Sequence, residues 1–239
     1  MAIVTNTVAY LDGDTVLEAF FAVDDAIDGI RPLVLISHTW AGRDQFVAEK
    51  AIQMAELGYV GFAVDMYGRG ILGTCAEENG QLMQPFMDDR AKLQQRMLAG
   101  LNAAKLLPWA DGSNIAAMGY CFGGLCVLDL ARTGADIKGV VSFHGLLSAP
   151  QRTQGKPIIA KVLALHGHDD PMGKPDQVLA FEQEMTNAGV NWQIHVYGST
   201  VHAFTNPQAN NPDFGTVYNA QADRRSWQSM KNFLQELFS

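Results

Sequence analysis

The sequence predicts an α/β fold: a single domain over residues 1–239, with a mostly parallel central sheet of about eight strands and helices on both faces. Three observations carry that expectation. Apolar runs such as Pro32–His38 (PLVLISH) show no alternation, as in strands buried on both faces. Stretches with helical spacing separate these runs, so strand and helix alternate over nearly the whole chain. The 239 residues contain no Pro/Gly/Ser-rich linker, no internal repeat and no low-complexity segment, and they suffice for one large core.

The elements follow in order. Thr7–Leu11 and Thr15–Val23 flank Asp12-Gly13-Asp14, an antiparallel hairpin that opens the sheet. Pro32–His38 is the first buried strand. Asp44–Leu57 has helical spacing (Phe46, Ala48, Ile52, Ala55, Leu57) and stops at Gly58. Tyr59–Asp65 is the next strand. Met66–Asp88 holds Gly68, Gly70, Gly73, Gly80 and Pro85 and reads as a long irregular segment, a candidate binding loop or lid. Asp89–Leu107 reads as a helix ended by Pro108. Asn114–Gly119 is a short strand, and Phe122–Arg132 is a helix that starts at once after it. Strands are expected at Ile137–His144, Ile158–His166 and Trp192–Tyr197. A helix is expected at Pro175–Ala188, and Thr216–Phe238 should be mostly helical.

Composition narrows the function. Seventeen basic residues face 25 acidic ones, a net charge of −8, which argues against nucleic acid and anionic membrane surfaces as partners. No run approaches the roughly eighteen apolar residues of a membrane span. The start, MAIVTNTVAYLDGD, lacks the features of a signal peptide, so a cytoplasmic location is expected. Three cysteines (Cys75, Cys121, Cys126) are too few and too odd in number for a disulfide framework. Cys75 and Cys126 read as structural, Cys126 one helical turn into its helix and facing inward.

The sharpest motif is Gly119-Tyr120-Cys121-Phe122-Gly123-Gly124, which joins a strand directly to a helix. It has the form of a G-x-nucleophile-x-G elbow with cysteine in place of serine. A nucleophile on such a sharp turn crowds its neighbours, and Gly119 and Gly123 remove the side chains that would collide. The helix N-terminus favours thiolate on Cys121, and the Phe122 N–H would point at a developing oxyanion. A thiol also needs a base and an orienting acid, in the chain order nucleophile, acid, histidine. Of six histidines, His202 lies just after the last strand and before the final helix, where that base belongs; His195 lies within the strand. The acid should follow Ile158–His166, in His166-Gly167-His168-Asp169-Asp170-Pro171. Asp170 fits the G-x-x-D-P form of that turn, with Asp169 as the alternative.

The elbow GYCFGG, the turn HGHDDP and the loop VHAF, at these intervals, resemble the dienelactone hydrolase family over almost the full chain. The resemblance implies the α/β-hydrolase fold and hydrolysis of esters and lactones through a thioester, with no metal and no cofactor. It implies that Cys121 attacks, that His202 moves the proton and that Asp170 orients the ring. It also implies a second oxyanion N–H from the loop after PLVLISH, at Trp40. Members acting on dienelactone itself carry a glutamate where this chain has Thr39, and a second arginine where it has Asn206; Arg69 matches the first arginine. With half of that anion clamp missing, dienelactone is not the expected substrate.

Trp40, Met83, Phe86, Met87 and Phe204 are bulky apolar candidates for the pocket, with ordinary core packing as the alternative for each. Broad activity on neutral aryl or short-chain esters and lactones is expected, extending to neutral phosphotriesters. The partner is then a small-molecule ester, lactone or triester, and the protein a monomer or homodimer. Arg43, Arg69 and Asp65 lie near strand ends, where turn salt bridges account for them equally well. Two other functions compete: a metallohydrolase built on His166, His168, Asp169 and Asp170, and a non-catalytic thiol sensor on a hydrolase fold.

Overall fold

The structure is a computed structural model that describes residues 2–151 and 157–239. In chain order the elements are β1 (Ile3–Asp12), β2 (Thr15–Asp24), β3 (Arg31–Ser37), α1 (Gln45–Glu56), β4 (Val60–Ala63), α2 (Ala76–Asp88), α3 (Arg90–Ala104), β5 (Ala110–Tyr120), α4 (Phe122–Arg132), β6 (Gly139–Phe143), β7 (Lys161–Gly167), α5 (Pro175–Asn187), β8 (Trp192–Tyr197), β9 (Asn210–Asn211), β10 (Thr216–Val217) and α6 (Ala220–Phe238). Eight strands form one sheet in the order β1-β2-β4-β3-β5-β6-β7-β8, and β9 and β10 form a two-stranded ribbon. The β1–β2 and β2–β4 pairs are antiparallel, whereas β3–β4, β6–β7 and β7–β8 are parallel. The expected mostly parallel eight-stranded sheet is therefore present. The chain clusters into two compact units, Met1–Met118 and Gly119–Ser239.

In Met1–Met118 the opening hairpin is longer than its sequence pattern suggests. It runs without a bulge from Ile3↔Asp24 to Asp12↔Thr15 and turns at Gly13, whose φ is +56°. Helix α1 starts at Asp44, whose carboxylate accepts from the Val47 N–H at 3.4 Å, and buries Val47, Ala48, Ala51, Met54 and Ala55. It rests directly on β4: a Cβ at Gly61 would lie 2.2 Å from the Ala51 carbonyl oxygen.

The segment Met66–Asp88 corrects the sequence reading, because its second half is the helix α2 rather than a loop. Gly80 and Pro85 read as breakers, yet nothing lies within 4 Å of a Cβ at Gly80, and Pro85 falls in the last turn. Ahead of α2, Asp65 Oδ1 accepts from the N–H groups of Tyr67 (2.9 Å) and Gly68 (3.0 Å) and so ties the chain leaving β4.

In Gly119–Ser239, β6, β7 and β8 lie side by side in chain order. Every residue of α4 is buried, as suits a helix covered on all sides, and it packs on β6. Helix α6 instead buries one stripe, Ala222, Ser226, Met230, Phe233 and Leu234. It begins at Ala220, later than Thr216: the β-branched Thr216 and Val217 pair with Asn211 and Asn210, and the Asn219 side chain caps the helix through the Gln221 and Ala222 N–H groups.

A deeply enclosed charged group in this unit is Arg132, at the end of α4. Its guanidinium meets Asp129 at 3.0 Å and Glu184 of α5 at 2.7 Å, and it donates to the Leu147 carbonyl at 3.1 Å. The Asp129 side chain is 0% exposed. Arg132→Met should therefore destabilise the fold by about 3–5 kcal/mol, because it takes the cation away from the buried Asp129 carboxylate. Urea denaturation checks this; Asp129→Asn combined with Arg132→Met should recover part of the loss.

Candidate active site

The elbow is built by backbone crowding. Strand β5 ends at Tyr120, and Cys121 adopts φ +56°, ψ −116°, a conformation that a residue with a side chain rarely takes. A Cβ at Gly119 would lie 2.0 Å from the Gly123 carbonyl oxygen, and one at Gly124 would lie 2.6 Å from both Gly145 Cα and Ser142 Oγ. The Cys121 N–H donates to the Phe143 carbonyl at 3.0 Å, and the Cys121 carbonyl accepts from Gly124 (3.0 Å) and Leu125 (3.4 Å) as α4 begins. The bend is thus fastened to the end of β6. Cys121 remains partly exposed, and Phe122, the first residue of α4, is buried.

The acid turn follows β7 and the histidine loop follows β8. Asp169 N–H donates to Thr200 O at 2.9 Å and His168 N–H donates to Tyr197 O at 2.9 Å. Two glycines allow this approach. A Cβ at Gly167 would lie 2.5 Å from Thr200 O, and one at Gly215 would lie 2.3 Å from the Pro171 ring. The His202 N–H donates to Gly215 O (3.0 Å), while His202 O accepts from Val217 (3.2 Å), so the short ribbon holds the histidine backbone on both sides.

Between these loops His202 Nδ1–H donates to Asp170 Oδ2 at 2.8 Å, with both side chains 2% exposed or less. Asp170 Oδ1 accepts from the Met172 N–H at 2.8 Å, which fixes the carboxylate. Of the two adjacent aspartates, Asp169 faces solvent and Asp170 meets the ring. His202 Nε2 is buried and lacks a partner at ordinary hydrogen-bond geometry. The ring nevertheless senses Cys121, through charge and as a loose sulfur hydrogen bond. Burial pushes the His202 pKa down; the Cys121 charge and the Asp170 hydrogen bond outweigh it and raise the value to about 10.

Other nominated residues take different places. Phe204 is 0% exposed and stacks edge-on against His144 and Tyr197, which is core packing beneath the histidine loop rather than an open pocket wall. Asn206 Oδ1 accepts from the Gln208 N–H at 3.0 Å and shapes its own turn. His166 Nε2–H donates to Gly173 O at 2.8 Å, and His168 is exposed. Among the described residues, no group of three or more His, Cys, Asp or Glu side chains is arranged to hold a metal ion. His195 sits in β8 with Nδ1 3.1 Å from Ser229 Oγ. Cys126 is buried as expected; Cys75 is exposed, which removes a packing role for it.

Trp40, Thr39, Arg69, Met83, Phe86 and Met87 all lie in Met1–Met118. The Trp40 carbonyl accepts from the Tyr67 hydroxyl at 3.0 Å, and Thr39 Oγ1 accepts from the Ala41 N–H at 3.3 Å. His38 beside them is neutral: its Nδ1–H donates to Thr39 O at 2.6 Å, Nε2 accepts from the Met66 N–H, and burial holds its pKa near 4. Arg69 and Arg43 both pair with Glu18, at 3.0 and 3.1 Å, and Asp65 serves turn amides. Phe86 is buried against Tyr67 with the Lys92 and Arg96 cations over its ring; Met83 and Met87 are half-buried on the same helix. Missed by the sequence reading are His144, edge-on to His202, its hydrogen-bond partner Thr205, and the close approaches at Gly145 and Gly215. The signals were slight: a His-Gly pair directly after a strand, and a glycine in an unremarkable loop.

Comparison with known proteins decides the family. The dienelactone hydrolase family profile matches residues 17–238. The chain belongs to the dienelactone hydrolase family. Two solved structures align over the full length of both chains: a dienelactone hydrolase-like promiscuous phosphotriesterase, P91, from metagenomic libraries (36% identity, TM-score 0.94) and m3DLH (31% identity, TM-score 0.95). A curated relative from Bradyrhizobium, named "Probable 2-oxo-3-(5-oxofuran-2-ylidene)propanoate lactonase", is 24% identical over 87% of this chain and 85% of its own. This dienelactone hydrolase family member is a hydrolase with the α/β-hydrolase fold. Among the described residues, no helix is long and apolar enough to cross a membrane.

The electrostatics yield a direct expectation. The His202 imidazolium should persist through the neutral range and lose its proton near pH 10, since its pKa is raised rather than lowered. Cys121→Ala removes the charge that does most to raise it and should bring the midpoint down towards about 6.5. Proton–nitrogen NMR of the ring across pH reads both values.

Proposed function

We propose that this hydrolase cleaves neutral esters and lactones through a Cys121–His202–Asp170 triad and a thioester on Cys121. The observation that carries the reading is the buried 2.8 Å His202–Asp170 bond, in a ring that also feels the charge of a cysteine held at φ +56° on a strand-to-helix bend. Asp170 selects the tautomer with the proton on Nδ1 and stabilises the cation that forms.

In the proposed cycle, the Cys121 sulfur attacks the substrate carbonyl carbon, and the C=O electron pair moves to oxygen. The oxyanion lies at the N-terminus of α4, where the Phe122 N–H and the helix dipole favour negative charge. Collapse breaks the ester C–O bond, His202 gives its proton to the leaving alkoxide, and a thioester remains. Water then loses a proton to His202 and attacks the thioester; the second collapse releases the acid and returns the thiolate. No cofactor is required by these steps.

Two comparisons support the substrate class: a relative named as a lactonase, and the full-length likeness to a promiscuous phosphotriesterase. The same thiolate can attack the phosphorus of a neutral triester, expelling one alkoxide that takes the His202 proton; water, losing a proton to His202, then cleaves the S–P bond and frees the diester and the thiolate, so weak triester turnover is part of the proposal. The departures at Thr39 and Asn206 count against the anionic dienelactone as the preferred substrate.

The test is mass spectrometry of a quenched reaction with a p-nitrophenyl ester. An acyl adduct on the peptide carrying Cys121 is expected. His202→Ala should reduce kcat by about 10²–10⁴-fold and Asp170→Asn by up to about 10⁴-fold. An active Cys121→Ala protein, or an adduct elsewhere, would falsify the mechanism.

A further inference from the structure

His144 directly follows β6 and has no part in the chemistry above. Its ring is 2% exposed, and its backbone is left-handed at φ +39°, unusual for a residue with a side chain. Two contacts fix that conformation. The His144 N–H donates to Leu165 O at 2.8 Å, and the next residue, Gly145, is pressed so closely on the first turn of α4 that a Cβ there would lie 2.9 Å from Gly124 Cα. The backbone carrying His144 is therefore braced by the same crowding that shapes the Cys121 bend.

The ring reaches the opposite way, into the histidine loop. His144 Nε2 and Thr205 Oγ1 are hydrogen-bonded at 2.8 Å, with Thr205 2% exposed. The His144 ring stands edge-on to the His202 ring, with centroids 5.1 Å apart and planes at 65°, and edge-on to Phe204 at 5.1 Å. Tyr120, from the end of β5, closes a further side at 6.1 Å.

We propose that His144 is a positioning residue for His202: hydrogen-bonded to Thr205 and rooted at the elbow, it fixes the plane in which the His202 ring turns between Asp170 and Cys121. This deepens the triad reading and rests on it. The Asp170 bond alone leaves the ring free to rock about its Nδ1···Oδ2 line. The edge of a second ring, itself tied through Nε2 to Thr205 on a braced backbone, removes that freedom.

The role demands that His144 stay uncharged. The titratable groups facing it are His202, His166 and Tyr120, with Asp170 on the far side of His202. Burial, then the charge of His202, holds the His144 pKa well below the usual histidine range. A cation at this distance would drive the proton off His202, so neutrality and position act together.

The test compares wild type with His144→Phe, Thr205→Val and the double variant. His144→Phe keeps a ring and loses the hydrogen bond; Thr205→Val removes the same bond from the other side. Each should lower kcat for a p-nitrophenyl ester by about tenfold, with KM within about twofold, and the double variant should be no worse than either single one. The NMR midpoint of His202 should fall in each, because a ring that swings off Cys121 loses the charge that raises it. Unchanged kcat in folded variants, effects that multiply, or an unmoved His202 midpoint overturn the proposal. If His144→Phe does not fold, Thr205→Val decides by itself on the same two readouts. Cys121→Ala separates the two ideas: an active protein sinks the triad reading, whereas an inactive one with an unmoved midpoint in Thr205→Val sinks only the positioning role.

Discussion

Backbone packed closer than side chains permit governs the Gly119–Ser239 half of this protein. At the end of β5 the chain reverses into α4 with the Gly119 α-carbon against the Gly123 carbonyl, and α4 in turn lies against Gly145 at the end of β6. No residue but glycine fits these places without moving main chain. The crowding leaves Cys121 in a backbone conformation that an ordinary cysteine avoids, and the strain persists because the surrounding hydrogen bonds over-determine it. What results is a partly exposed cysteine on a framework that is otherwise buried.

A second close approach, between the acid turn and the histidine loop, works by the same means. Gly167 and Gly215 let the Thr200 backbone and the Pro171 ring come within a distance that any Cβ would block. Asp170 and His202 then meet at 2.8 Å although they stand 32 positions apart in the chain, and each is also held by bonds to backbone groups. Such an arrangement is preorganised: little reorientation remains when charge moves.

The sequence made much of this legible, and the residues show why. The α4 helix, β8 and the elbow were readable because their local pattern and tertiary setting agree: unalternating apolar strands, a glycine on each side of the cysteine, a helix with no intervening loop. The turn form favoured Asp170 and left Asp169 open as the alternative; the folded chain sets Asp170 against His202. Helix α2 was misread because Gly80 and Pro85 weaken helix locally, and nothing local says that Pro85 would fall in the final turn. For Phe204 pocket wall and core packing stayed open, since aromatic content does not reveal which way a loop turns its ring. His144 was invisible for a related reason: its partner Thr205 lies 61 residues away, and only a folded chain brings the two together.

The charge distribution follows from counting partners rather than from burial. His144, His166 and His202 are all withdrawn from solvent, which by itself disfavours a proton on each. Only His202 combines a bonded carboxylate with the charge of a sulfur, whereas His166 donates to the Gly173 carbonyl and His144 pairs with the Thr205 hydroxyl. Like charges at this spacing repel, so protonation of one ring suppresses the others. Of the three imidazoles, only the one bonded to Asp170 has its pKa raised, while burial holds the other two down.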